Sequence, residues 1–309
     1  MTTLEELLAQ PLDQPLDAPG PRASIQSQIQ AKREMYPPSM RRVADVILAR
    51  PQLVLERTIT ELARMCQTSE TSVVRFCRTL GFTGYAPIRL HMASELATEL
   101  AQFGRDSGYG SDIEQSDSLA GMVAKISTSE ILGVQETAAS LDLEALQAVI
   151  DHIARARSVV LFGVAASNAG AQDLAHKLLR IGSCALSFHD AHDALVPATL
   201  LGPADVAVGF SHGGRTRETT EFLHVAHTAG AFTVAVTNSD DTPLADHADA
   251  VLKTAVRETT FRSGAMASRI AQLTIVDYIF VGVARKTYTE SISALKRTRE
   301  STDRLRNNA

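Results

Sequence analysis

From Ser158 onward the chain changes its hydrophobic period, and this change limits what it can fold into more than any other feature. Short β-rich runs (Ser158 to Gly163, Ala185 to Phe188, Val206 to Phe210, Phe232 to Thr237 and Ala250 to Thr254) alternate with segments of helical spacing. Strands that are each followed by a helix pair in parallel, because a crossover helix returns the chain to the same edge of the sheet. The expectation is an α/β doubly wound parallel sheet with helices on both faces.

The part before it reads differently. Between about Ser24 and Ala101 the spacing is helical throughout, with no strand signal. Pro37 and Pro38 precede Ser39, a good N-cap, and Met40, Val43, Val46 and Ile47 then fall at core spacing. Residues 1–23, rich in Pro, Gln and Asp, offer no apolar face to offset ordering entropy and read as a disordered tail. Residues 102–118 collect Gly, Ser and Asp and read as a linker. The expected order is therefore tail, helical domain over 24–101, linker, α/β domain over 119–288, and a charged C-terminal helix over 289–309. The α/β domain opens with helical spacing at Leu119, Met122 and Ile126, then a helix from Asp142 through Ile153.

A chain of 309 residues with 45% hydrophobic and 21% charged residues is long and apolar enough for two cores. The apolar stretch Ile270 to Ala284 is interrupted by Gln272 and Asp277 and falls short of the roughly 20 residues of a membrane span. It reads as a buried helix, with no membrane partner. The N-terminus lacks a basic start and an apolar block. Cys66, Cys77 and Cys184 are odd in number and form no C-x-x-C pair. Both observations point to a reduced, cytoplasmic setting.

Net charge is −5, yet from Arg64 to Arg89 four arginines stand against Glu70 alone. A local basic face of this kind fits nucleic acid within an acidic total. The same window has the logic of a helix-turn-helix. Thr58 or Thr60 caps a first helix containing Leu62 and Ala63, Gln67-Thr68-Ser69 makes the turn, and Ser69 caps a second helix. Val73, Phe76, Cys77 and Leu80 give that helix one buried face, and Glu70, Thr71, Val74, Arg75 and Arg78 lie opposite. Such a helix fits the major groove, where Arg bonds a guanine edge and Thr meets phosphate or a thymine methyl. The DNA-contacting set is Ser69, Thr71, Ser72, Arg75 and Arg78. The competing interpretation is a plain amphipathic hairpin with scattered arginines. The turn position that usually holds Gly is Gln67, and a positive φ there would cost roughly 1 kcal/mol.

Residues Ile25 to Leu100, above all RRVADVILARPQLV and TITELARMCQTSETSVVRFCRTLGFTGY, resemble the N-terminal domain of the RpiR family of bacterial transcription regulators. The resemblance implies that Thr71 and Arg75 lie on the DNA-facing side.

Two strand-loop-helix units have the makings of an anion site. SVVLFG runs into Val164-Ala165-Ala166-Ser167-Asn168, and DVAVGF runs into Ser211-His212-Gly213-Gly214-Arg215-Thr216. Helix N-termini favour anions through their dipole and unsatisfied amides, and parallel sheets bind ligands at strand C-terminal ends. Neither loop matches G-x-G-x-x-G or the Walker pattern, which argues against dinucleotides and nucleoside triphosphates. A Ser/Gly/Thr loop can also be a mere capping turn.

Residues from about Lys125 to Lys286 resemble a sugar isomerase (SIS) domain, with SHGGRTRET similar to its S-x-S-G-x-T phosphate loop. The resemblance implies that Ser211 and Thr216 supply hydroxyls, that Gly214 permits close backbone approach, and that Ser167 is the ligand serine of the first loop. Gly213 stands where a second serine is usual, which removes one hydroxyl. FRSGAMASRIAQL resembles the region after the family's last strand and makes Glu258, Ser263 and Arg269 candidates for the far wall or a dimer interface. The effector-contacting set is Ser167, Asn168, Ser211, His212, Gly213, Gly214, Thr216 and Glu258.

His189 and His192, and His224 and His227, have spacings a metal could use, but further convergent ligands would be needed, and they read as structural or exposed. No metal, cofactor or catalytic residue is expected. The leading reading is a transcription regulator whose partners are an operator in double-stranded DNA, a phosphorylated sugar or sugar-acid effector, and further copies of itself as a dimer or tetramer. Two alternatives stand beside it. One is a sugar-phosphate isomerase-type enzyme with Glu258, Glu218 or His176 as acid and base; the other is a DNA-binding protein whose sensor has decayed.

Overall fold

The computed structural model describes residues 23–103, 113–256 and 266–307. In its N-terminal part, helices α1 (Ile25–Lys32), α2 (Pro38–Ala49), α3 (Leu53–Glu56), α4 (Ile59–Met65), α5 (Glu70–Thr79) and α6 (Tyr85–Phe103) surround one core. Ile25, Ile29, Val43, Ile47, Leu62, Val73, Phe76, Ile88 and Met92 meet there, all essentially inaccessible to solvent. Ser24 caps α1 by accepting from the Ser27 amide. For α2 the expectation is corrected: the helix starts at Pro38 with Pro37 before it, so Ser39 lies inside the first turn. Proline suits the first helical position, where its missing N–H would have had no partner.

Of the two candidate caps for α4, Thr58 does the work. Its hydroxyl accepts from the Glu61 amide, and the Glu61 carboxylate accepts from the Thr58 amide in return. This is a capping box. Ser69 caps α5 by accepting from the Ser72 amide at 3.2 Å. Between them Gln67 adopts φ +49, the left-handed region that disfavours residues with a Cβ. Arg42 on α2 braces this turn, donating from Nε to the Cys66 carbonyl at 2.9 Å and from Nη2 to the Gln67 carbonyl at 2.8 Å.

The expected linker is partly structured. Helix α6 continues to Phe103, and the described residues from Ile113 form a turn. In that turn Asp117 accepts from the Glu114 amide and from Lys125 Nζ, both at 2.8 Å. Ser118 then caps α7 (Leu119–Ser140), which is followed by α8 (Leu143–Arg155) capped by Asp142.

The sheet follows: β1 (Ser158–Gly163), β2 (Ala185–Ser187), β3 (Asp205–Phe210), β4 (Phe232–Thr237) and β5 (Ala250–Lys253), all parallel, in the order β2-β1-β3-β4-β5. Helices α9 (Asn168–Arg180), α10 (Ala191–Thr199) and α11 (Arg217–Thr228) are the crossovers, and α12 (Ala267–Lys286) and α13 (Tyr288–Asn307) close the chain. Strand alternation sends Val159, Leu161, Val206 and Val208 to one face, against α8, α9 and α12. Val160, Phe162 and Ala207 go to the other, against α10 and α11. Helix α12 is long and apolar enough to cross a membrane by length and composition, but its Ala271, Ile275, Ile279 and Val283 are buried in the protein.

At the start of β3 the buried Asp205 accepts from Arg157 Nε at 3.0 Å and Nη2 at 2.6 Å, and from the Gly202 amide at 2.9 Å. The Arg157 bonds first, and the Gly202 amide after them, hold its carboxyl below the usual carboxylate range. A lowered folded value gives stability that is present above the unfolded value of about 3.9 and is lost as pH falls through the folded one. Asp205→Asn should therefore be less stable than wild type at pH 7, with the gap narrowing below about pH 4 in urea titrations. A second prediction concerns the turn: Gln67→Gly should raise unfolding stability by about 1 kcal/mol, read as a shift in urea midpoint.

Candidate functional site

The first candidate surface is the outer face of α5. Thr71, Arg75 and Arg78 are all exposed and lie at i, i+4 and i+7, so they share one side of the helix, opposite the buried Val73, Phe76 and Cys77. Ser69 and Ser72 stand at its N-terminus with their hydroxyls 3.1 Å apart. Glu70, the acid of this face, is engaged by the Thr60 hydroxyl at 2.6 Å. What α5 presents outward is thus hydroxyls and guanidinium groups. Burial pushes the Cys66 and Cys77 thiols beneath it up to about 11, which suits packing rather than reactivity.

The second candidate is the loop between β3 and α11. Strand β3 is buried along its whole length and delivers Ser211 into the fold, where the Ser211 amide donates to the Val236 carbonyl at 3.1 Å. Carbonyls of the loop are tied back. Ser211 accepts from the Gly214 amide at 3.1 Å, His212 accepts from the Asn238 amide at 2.9 Å and the Thr237 hydroxyl at 3.1 Å, and Gly214 accepts from the Leu244 amide at 3.0 Å. Gly214 has φ +63, and a Cβ there would come within 2.4 Å of the Thr242 hydroxyl oxygen. No side chain fits. Among the described residues no acceptor takes the amides of Gly213, Arg215 or Thr216, and Thr216 leaves the start of α11 without a side-chain cap. The Ser211 and Thr216 hydroxyls stand 3.0 Å apart beside them. Donors without acceptors at a helix start are what an anion requires.

The loop after β1 is arranged differently. Ser167 precedes α9 without capping it, and its hydroxyl accepts from Gln272 Nε2 of α12 at 3.2 Å. Asn168 is buried, with its amide donating to the Gly163 carbonyl at 2.8 Å and the Phe188 carbonyl at 2.6 Å and its oxygen accepting from Gln172. Those bonds fix the turn and leave Asn168 little to offer a ligand. Both loops flank the β1/β3 switch point of the 2-1-3-4-5 order, where such sheets bind ligands. Among the described residues, the walls of the cavity around Ser211 do not include Ser167.

Ser211, His212, Gly213, Arg215 and Thr216 line a cavity of about 380 Å³ with Asn238 and Thr242. Its remaining wall is Gln30, Ala31, Arg33, Glu34 and Met35, from the end of α1 and the turn after it. A neighbouring cavity of about 420 Å³ shares Ala31 and Asn238 and holds Lys32, Asp240 and Lys253. Arg215, Asn238 and the α1 segment are absent from the residues expected from sequence. Asn238 follows β4 and obeys the same strand-end rule; the α1 segment has no local signal. Glu258 and Ser263 lie outside the described residues, and Arg269 is exposed on α12. Glu218 and His176 are exposed as well. His224 packs its ring on His247 with centroids 4.6 Å apart, and His227 Nδ1 lies 3.3 Å from the Thr233 hydroxyl.

Residues 23–99 match the helix-turn-helix domain of the rpiR family, and residues 152–282 match the SIS domain. An uncharacterized HTH-type transcriptional regulator of Caldanaerobacter subterraneus subsp. tengcongensis is 37% identical over 87% of this chain and 94% of its own length. The uncharacterized HTH-type transcriptional regulator YbbH of Bacillus subtilis is 32% identical over 90% of this chain and 96% of its own. Vibrio vulnificus NanR, solved complexed with ManNAc-6P, is 28% identical, matches 91% of this chain and 98% of that one, and has a TM-score of 0.57. The order of the two matched regions, a helical reader followed by a parallel-sheet unit, places this chain in the RpiR family of helix-turn-helix transcriptional regulators that carry an SIS domain.

Proposed function

We propose that this regulator changes its operator affinity when a phosphorylated sugar or sugar acid binds at Ser211 to Thr216. One observation carries the reading. Around Gly214, which no other residue can replace, the loop leaves amides without acceptors at an uncapped helix start and sets two hydroxyls beside them. A phosphate has the charge and the acceptor oxygens to satisfy that set. The NanR relative, solved with ManNAc-6P, supports the same ligand class. Gly213 is exposed, so the loop offers its amide there where a serine would add a hydroxyl.

At the other end, Thr71, Arg75 and Arg78 read DNA from the exposed face of α5, with Ser69 and Ser72 at the phosphate-facing start of the helix. Helix-turn-helix domains read paired half-sites about 34 Å apart, so the working unit is a dimer or a pair of dimers. The protein acts in the cytoplasm, where its operator is.

Arg75→Ala should weaken binding to the cognate operator by about 1–3 kcal/mol in fluorescence anisotropy, and wild-type affinity would remove α5 from the groove. Ser211→Ala should abolish the effect of the effector on that binding while leaving basal operator affinity intact. An unchanged response would take the loop out of the site. The enzyme alternative is tested by incubating the protein with a panel of phosphosugars: no product is expected, and turnover would favour an isomerase.

A further inference from the structure

The cavity around the loop is closed by the DNA-binding domain itself. Gln30, Arg33 and Glu34 face Ser211, Arg215 and Thr216 across it. The Glu34 carboxylate comes within 3.5 Å of Arg215 Nε. Neither is committed by burial, since Glu34 is 71% and Arg215 44% exposed. Arg33, by contrast, is held by Asp45 at 2.6 Å. Arg215 is therefore the cation that the loop can turn toward a ligand, and in this structure a carboxylate of the other domain is its partner.

Contacts at the opposite end of α1 tie the start of the same segment to both domains. Glu136 of α7 accepts from the hydroxyls of Ser24, at 2.9 Å, and Ser27. Glu95 of α6 accepts from the Ile25 amide at 3.0 Å. The segment that carries Glu34 is thus anchored to the sheet domain at one end and meets the loop at the other.

We propose that Glu34 is a built-in competitor of the effector, a carboxylate from the DNA-binding domain that occupies Arg215 and sets how tightly an anion binds at Ser211 and Thr216. The inference rests on the reading of that loop as an anion site. A phosphate offers the guanidinium a paired set of acceptor oxygens and more charge than a single carboxylate. A phosphate and Glu34 also repel each other across the same cavity. The anion therefore binds best when Glu34 has moved off, and by linkage its binding favours the arrangement in which this part of the DNA-binding domain has left the sheet edge. Affinity for the effector and the position of the DNA-binding domain are then two sides of one equilibrium.

The test uses the full chain with inorganic phosphate as the probe, titrated by calorimetry at low ionic strength. Glu34→Gln should bind phosphate about two- to fivefold tighter than wild type, the range an exposed charge pair supports, and the gain should shrink as salt is added. Ser211→Ala should lose phosphate binding, and in an Arg215→Ala background the Glu34→Gln gain should shrink to the part that relief of repulsion alone supplies. If Ser211→Ala loses phosphate while Glu34→Gln binds it as wild type does, or more weakly, the competitor is overturned and the loop stands. An equal gain without Arg215 would also overturn it. If Ser211→Ala binds phosphate normally, the loop reading itself has failed and this inference falls with it.

Discussion

A parallel sheet brings the carboxyl ends of all its strands to one edge, and the functional half of this chain is arranged around that constraint. With the order β2-β1-β3-β4-β5, the crossovers from β1 and β3 leave in opposite directions and open a crevice between them. Strand β3 has no solvent-facing side, so the position of Ser211 is fixed by the core rather than by the loop that follows. The loop after β4 supports it, through the amide of Asn238 and the hydroxyl of Thr237 on the His212 carbonyl. The end of α1 and the turn after it line the other wall of the cavity at this end of the sheet.

Charge is distributed to match. The chain is acidic overall, with net charge −5, yet the outward face of α5 carries arginines while its acid is drawn aside to Thr60. Fields from the acids of the sheet domain are screened over about 8 Å at physiological ionic strength, so the potential over the α5 face is set by its own neighbourhood. The total charge says little about what that face attracts.

How much was legible in the sequence depends on how local the cause was. Capping is a matter of three or four residues, and Thr58, Ser69 and Asp142 are readable for that reason. The strands announce themselves as short apolar runs, with ends that differ by a residue: β2 stops at Ser187, β3 starts at Asp205 and β5 stops at Lys253. Ser39 was misjudged because a hydroxyl near a helix start looks like a cap until the proline before it is found to be helical. The linker reading overlooked that Asp117 and Ser118 make a turn and a cap as readily as they make loose chain. Ser167 and Asn168 have the right chemistry for a ligand, but only the packing reveals that Gln272, Gly163 and Phe188 already engage them. The wall formed by the end of α1 and the turn after it had no sequence signal at all, since it exists only once two domains meet.

Gly213 and its neighbour look alike in the sequence and are opposite in kind. A Cβ on Gly214 would strike Thr242 and Thr237, whereas one on Gly213 would meet nothing within 4 Å. The fold therefore dictates the second glycine and is indifferent to the first. Position 213 can drift through small residues without disturbing the scaffold. On the proposed reading of this loop as an anion site, it is a place where taste for a new ligand is acquired by a single step while architecture stays as it is.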